Sequence, residues 1–93
     1  MRVRKQQLSL GRVVATRRAV AVLGRYDIMV ALARHVQGDW GEVNPEDRRQ
    51  NDLSVVNGHR VLSAYNTLDG GTEFWVITEA DRSTTTVLLP DEY

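Results

Sequence analysis

No cysteine occurs anywhere in the chain. That removes disulfides, thiolate metal ligands and thiol nucleophiles, and it suits a reducing compartment. Long apolar runs are missing as well. None approaches the ~18 residues that would span a bilayer, and the N-terminus carries no signal-peptide core. A soluble, cytoplasmic protein without a membrane partner is expected. There is no net charge either, since 12 Lys and Arg balance 12 Asp and Glu. A global basic excess, the usual source of counterion-release affinity for nucleic acid, is therefore absent. No phosphate-binding glycine loop, nucleophile elbow or zinc spacing appears. His35 and His59 are the only histidines and lack the i, i+4 spacing of a helical metal pair, so neither a metal nor a cofactor is expected.

What remains fits one α+β domain over residues 1–93. A chain of this size buries roughly 60–65% of its unfolded surface, which is a modest but sufficient core. Its charge is unevenly spread. Arg2, Arg4, Lys5, Arg12, Arg17, Arg18 and Arg25 all precede the first acid, Asp27. Residues 1–7 read as a flexible basic arm, either a nucleic-acid contact or a tail lying on the protein's own acidic surface.

The chain in order gives a short strand over residues 8–15 with a bend at Gly11. Thr16 then caps a short helix over 17–23, stopped by Gly24. Asp27 caps a second helix over 28–36. There Ile28, Ala31, Leu32 and His35 fall on one face, while Met29, Val30, Ala33 and Val36 cover much of the rest. A helix apolar nearly all round is a buried one, so this is the expected central core helix, with Arg34 its polar exit. Gly38-Asp39-Trp40-Gly41 turns the chain, with Trp40 tucked onto the core. Asn44-Pro45-Glu46-Asp47 starts a third helix, with Asn at the cap, Pro at the first position and acids against the dipole. That surface helix runs to about Val56, ends at Asn57-Gly58, and has Glu46–Arg49 and Arg48–Asp52 spaced to pair. Beyond Gly58 the period changes to two. Strands over 59–67, 72–79 and 84–89 are joined by turns at 68–71 and 80–83. The expected architecture is two to three helices on one face of a three- to four-stranded antiparallel sheet, a meander in the C-terminal half.

The side chains able to do chemistry each have two readings. His35 is a satisfied core histidine or a general acid/base. Arg49 leans over the core to pair with an acid, or serves as a catalytic cation. Asp81-Arg82-Ser83 is a turn bonded to its own backbone, or a site where Arg82 takes a phosphate with the hydroxyls of Thr84 to Thr86. Were the protein an enzyme, His35, Arg49, Ser63, Arg82 and Thr84 would suit metal-independent phosphodiester cleavage. As a binding protein it would use Asp39, Trp40, Tyr65, Trp75 and Asp81, with Tyr93 a further anchor, unless those aromatics complete a small core. The glycine-flanked indole and the Asp81-Arg82 turn are expected to share one neighbourhood.

The segments ARHVQGDWGE (33–42), GHRVLSAY (58–65) and WVITEADRSTTTVLLP (75–90), with ED (46–47), ND (51–52) and the final EY (92–93), resemble a family of small bacterial proteins carried by plasmids and other mobile elements. Its members are labelled plasmid related proteins and sometimes type I restriction subunit M. This chain is too short for a methyltransferase subunit and has no cofactor motif. The resemblance implies a mobile-element accessory protein that binds a host or element-encoded protein. At the level of fold alone, helices before an antiparallel sheet are similar to the barnase, EndoU, colicin and RelE-like ribonucleases. Three expectations follow: protein binding, a toxin-like ribonuclease, or nucleic-acid binding through the arm. A homodimer through a free strand edge is a further possibility.

Overall fold

The computed structural model describes residues 7–93, so the expected basic arm lies outside the described residues except for Gln7. The elements are β1 (Arg12–Ala15), α1 (Arg17–Val22), α2 (Arg25–Val36), α3 (Pro45–Asn57), β2 (Val61–Asn66), β3 (Glu73–Thr78) and β4 (Thr84–Leu88), followed by a 3-10 turn (Pro90–Glu92). Local chemistry accounts for several boundaries. The Thr16 hydroxyl accepts the Ala19 amide at 3.0 Å, and the Asn44 side chain accepts the Asp47 amide at 2.7 Å. Each ties up an amide that the first turn leaves unpaired. Gly58 closes α3 in the left-handed region (φ 75°), where its amide reaches the Ser54 carbonyl.

The sheet is mixed, in the order β1-β4-β3-β2. β2, β3 and β4 form the expected antiparallel meander. The fourth strand departs from expectation, because β1 pairs parallel with β4 in the register Arg12↔Thr84 to Ala15↔Val87. The physical reason is connectivity. Everything from α1 to β3 lies between the two strands, so β1 is not tied to a tight antiparallel return.

Register places Val61, Ser63, Tyr65, Phe74, Val76, Thr78, Thr85 and Val87 on one face of the sheet. Each is 1% exposed or less. Tyr65, Phe74, Val76 and Val87 form one cluster with Ala19 of α1, Leu23, Ala31 of α2 and Leu89. Alanine at the two helix positions lets helix and sheet approach closely. On the opposite face Trp75 packs edge-on against Tyr93, with ring centroids 5.5 Å apart.

α3 meets the sheet at its β2 edge. The Asn51 amide donates to the Leu62 carbonyl at 2.8 Å and accepts the Leu62 amide at 3.4 Å. One side chain thus imitates the backbone of a neighbouring strand. The loop before α3 continues that imitation. Ala64 donates to the Trp40 carbonyl and Glu42 donates to the Ala64 carbonyl, at 3.1 and 2.7 Å. Gly41 makes this approach feasible, since a Cβ there would lie 2.0 Å from the Ala64 oxygen and its φ is +76°. The β2 edge is therefore covered, whereas β1 is a four-residue edge strand with Val13 exposed.

Two expectations about α2 are corrected. It begins at Arg25 with Gly24 at the cap position, and Asp27 lies in its first turn. The Asp27 carboxylate instead accepts the Leu68 amide at 2.9 Å, tying α2 to the β2–β3 turn. Nor is α2 enclosed. Ala31 and His35 are its only fully buried residues, while Tyr26, Met29 and Ala33 face water. The pairs expected along α3 are also replaced, since the ion pairs among the described residues are Arg18–Asp91 and Arg34–Asp39.

Candidate functional site

His35 projects from the last turn of α2 onto the buried sheet face. Its Nδ1 lies 2.6 Å from Ser63 Oγ on β2, and its Nε2 lies 2.9 Å from Thr78 Oγ1 on β3. Thr78 Oγ1 is 2.7 Å from Thr85 Oγ1 on β4, and Thr85 donates to the Leu10 carbonyl at 2.7 Å. The last bond orients all the others, because a hydroxyl has one proton. Thr85 gives its proton to Leu10, so Thr78 must donate to Thr85. Thr78 then accepts from His35 Nε2–H. Nδ1 is left bare and accepts from Ser63. The result is a one-way chain, Ser63 to His35 to Thr78 to Thr85 to Leu10, crossing the sheet with every polar atom satisfied.

Ser63, His35, Thr78 and Thr85 are each 0% exposed. Burial is the main cause that pulls His35 down to about 4, and the Arg82 charge adds to it. The neutral ring packs edge-on against Trp40 at 5.6 Å. A serine donating to a histidine has the elements of a nucleophile and its base. Here no substrate can reach either atom, and the second ring nitrogen already has a partner.

The other candidates are dispersed. The Arg82 guanidinium donates to the carbonyls of His59, Glu79 and Ser54, at 2.7, 3.1 and 2.8 Å. It thereby places a cation at the C-terminal end of α3. Arg82 itself has φ 62°. Thr84 is half-buried on the sheet face opposite Thr85, and Arg49 is exposed on α3. The expectation that Arg49 leans over the core is thus corrected, because α3 turns Asn51 and Ser54 inward and leaves Leu53 and Val56 in water.

Of the aromatic anchors, Trp40 and Tyr65 are core residues. The Trp40 indole donates to Asp52 at 2.9 Å, and the Tyr65 hydroxyl donates to the Asp39 carbonyl at 2.7 Å. Burial pushes the Tyr65 phenol up. Asp39 forks onto Arg34 at 2.7 and 3.1 Å, which raises the guanidinium's pKa and holds it over the Tyr65 ring. Trp75 is half-buried, its indole donating to Glu73. Asp81 is bonded within its own turn by the Ser83 hydroxyl and, secondly, the Ser83 amide, which hold its carboxyl below the usual range. Trp40 and Arg82 do adjoin a common stretch of chain. Trp40 clusters with Leu8, Val61 and Val55, and a groove of about 290 Å3 is lined by Leu8, Val55, Ala80 and Arg82 among others.

A surface that sequence reasoning did not single out lies on α1 and α2. Val20, Tyr26 and Met29 are 60, 64 and 60% exposed. A groove of about 310 Å3 is lined by Val20, Leu23, Arg25, Ile28 and Met29. The signal was present in the all-round apolar character of α2, which called for a neighbour on its outer side as well. Among the described residues no group of three or more His, Asp or Glu is placed to hold a metal, and no helix is long and apolar enough to cross a membrane. No family model, curated protein or solved structure matches the chain.

Proposed function

We propose that this is a protein-binding module that docks a partner through the outer face of α1 and α2, as an accessory protein of a mobile element would. The observation that carries the reading is the set of apolar side chains left in water there: Val20, Tyr26 and Met29. Tyr26, Met29 and Ala33 recur at helical spacing along α2. A contiguous apolar stripe beside a groove is what an interface core requires. A ribonuclease would need His35 at a solvent-reached point, whereas its ring is fully buried with both nitrogens bonded.

The reading is tested with tagged protein at native level in its host, comparing wild type with Met29→Glu and Val20→Glu. Both positions are exposed, so both variants should melt within about 0.5 kcal/mol of wild type. A partner retained by wild type and lost from both variants is the expected result. An identical retained set for all three proteins overturns it.

A further inference from the structure

We infer that the α1–α2 face receives an acidic amphipathic segment of another protein, one that seats an apolar side chain in the groove and sets its carboxylates against Arg17 and Arg25. This rests on the reading of that face as a binding surface. The occupant's chemistry follows from charge. α1 and α2 together contain four arginines and one acid, Asp27. Asp27 is turned to the Leu68 amide, while Arg18 and Arg34 are neutralised by Asp91 and Asp39. Arg17 and Arg25 are exposed and make no ion pair among the described residues. Arg25 is the one charged residue lining the groove, and Arg17 lies one turn before Val20 on α1.

A second copy of this chain fits this face poorly. A two-fold contact sets a surface against itself, and this one would oppose Arg17 and Arg25 to themselves, its carboxylates Asp27 and Asp91 being already engaged by the Leu68 amide and Arg18. Nucleic acid would satisfy the cations but leave the apolar stripe wet. A lipid surface offers acids and apolar tails, yet the concavity bounded by Val20, Leu23, Ile28 and Met29 fits a projecting side chain from a folded segment. A helix with leucine or aromatic residues three and four apart and acids between them satisfies both the stripe and the two cations.

The experiment pans a phage-displayed library of random helix-length peptides against the full chain, with counter-selection on Met29→Glu. The consensus peptide is then synthesised and its affinity measured by fluorescence anisotropy. Expected are acid-rich peptides with large apolar residues at helical spacing, whose affinity falls about tenfold against the double variant Arg17→Glu/Arg25→Glu. A version with lysine in place of its acids should show the opposite preference. Peptides that depend on Met29 but lack acids, or ignore the charge reversal, overturn this inference and leave protein binding standing. Absence of any Met29-dependent peptide overturns both. Self-association in sedimentation that Met29→Glu abolishes overturns this inference and leaves protein binding standing, whereas phosphatidylserine-vesicle binding that Met29→Glu abolishes overturns both.

Discussion

Protonating His35 would place a cation among groups whose protons are already assigned. The imidazole has a lowered pKa of about 4, against 6.5 for an ordinary histidine. The unfolded chain therefore binds a proton between these values that the folded chain does not. Stability rises with pH across that window, and is lost as pH falls from 6.5 to about 4, by about 3 kcal/mol in the limit. Urea melts between pH 7 and 4 should show this slope, and His35→Gln should flatten it. A His35→Gln slope equal to that of wild type would place the proton elsewhere. In the native protein at neutral pH, nitrogen chemical shifts should report the Nε2–H tautomer, because the Leu10 carbonyl fixes the direction of the chain. The sequence placed His35 on an apolar helical face with both readings open. It did not reveal Ser63, Thr78 and Thr85 as partners, because that requires the lateral register of three strands.

Elements whose limits depend on adjacent residues were legible. Thr16, Asn44, Pro45 and Gly58 mark helix ends by chemistry within a few positions, and the turns at 68–71 and 80–83 separate the meander strands as expected. The direction of β1 was not legible, since nothing within four residues specifies which partner it meets. Periodicity likewise showed how apolar α2 is but not how many neighbours it has. The β2 edge offers a test at this scale. Asn51→Ala removes the partner of both Leu62 backbone groups and should cost about 1–3 kcal/mol. In a domain of this size that lowers the melting temperature by several degrees. Gly41 and Gly58 separate two kinds of strain. Alanine at Gly58 meets no atom within 4 Å and carries only the left-handed penalty, about 1 kcal/mol. At Gly41 it also meets the Ala64 oxygen, so it should cost more than about 2 kcal/mol. Equal losses at the two sites would mean that the loop does not hold the β2 edge.

At the scale of the molecule, cohesion is concentrated in the middle of the sheet. β3 and β4 are paired on both sides, β2 is covered by α3 and its preceding loop, and β1 is a four-residue edge. Native-state hydrogen exchange should protect Val76, Ile77 and Val87 most, and β1 least among the strands. Stronger protection in β1 than in β3 would contradict this order. The one-way array of protons through Ser63, His35, Thr78 and Thr85 has a consequence for how such a sequence diverges. Losing one hydroxyl reverses or orphans its neighbour inside a dry interior. Descendants of this chain should therefore keep all four polar side chains or exchange the set together for hydrocarbon. A lineage caught halfway would carry the defect as a lowered melting point.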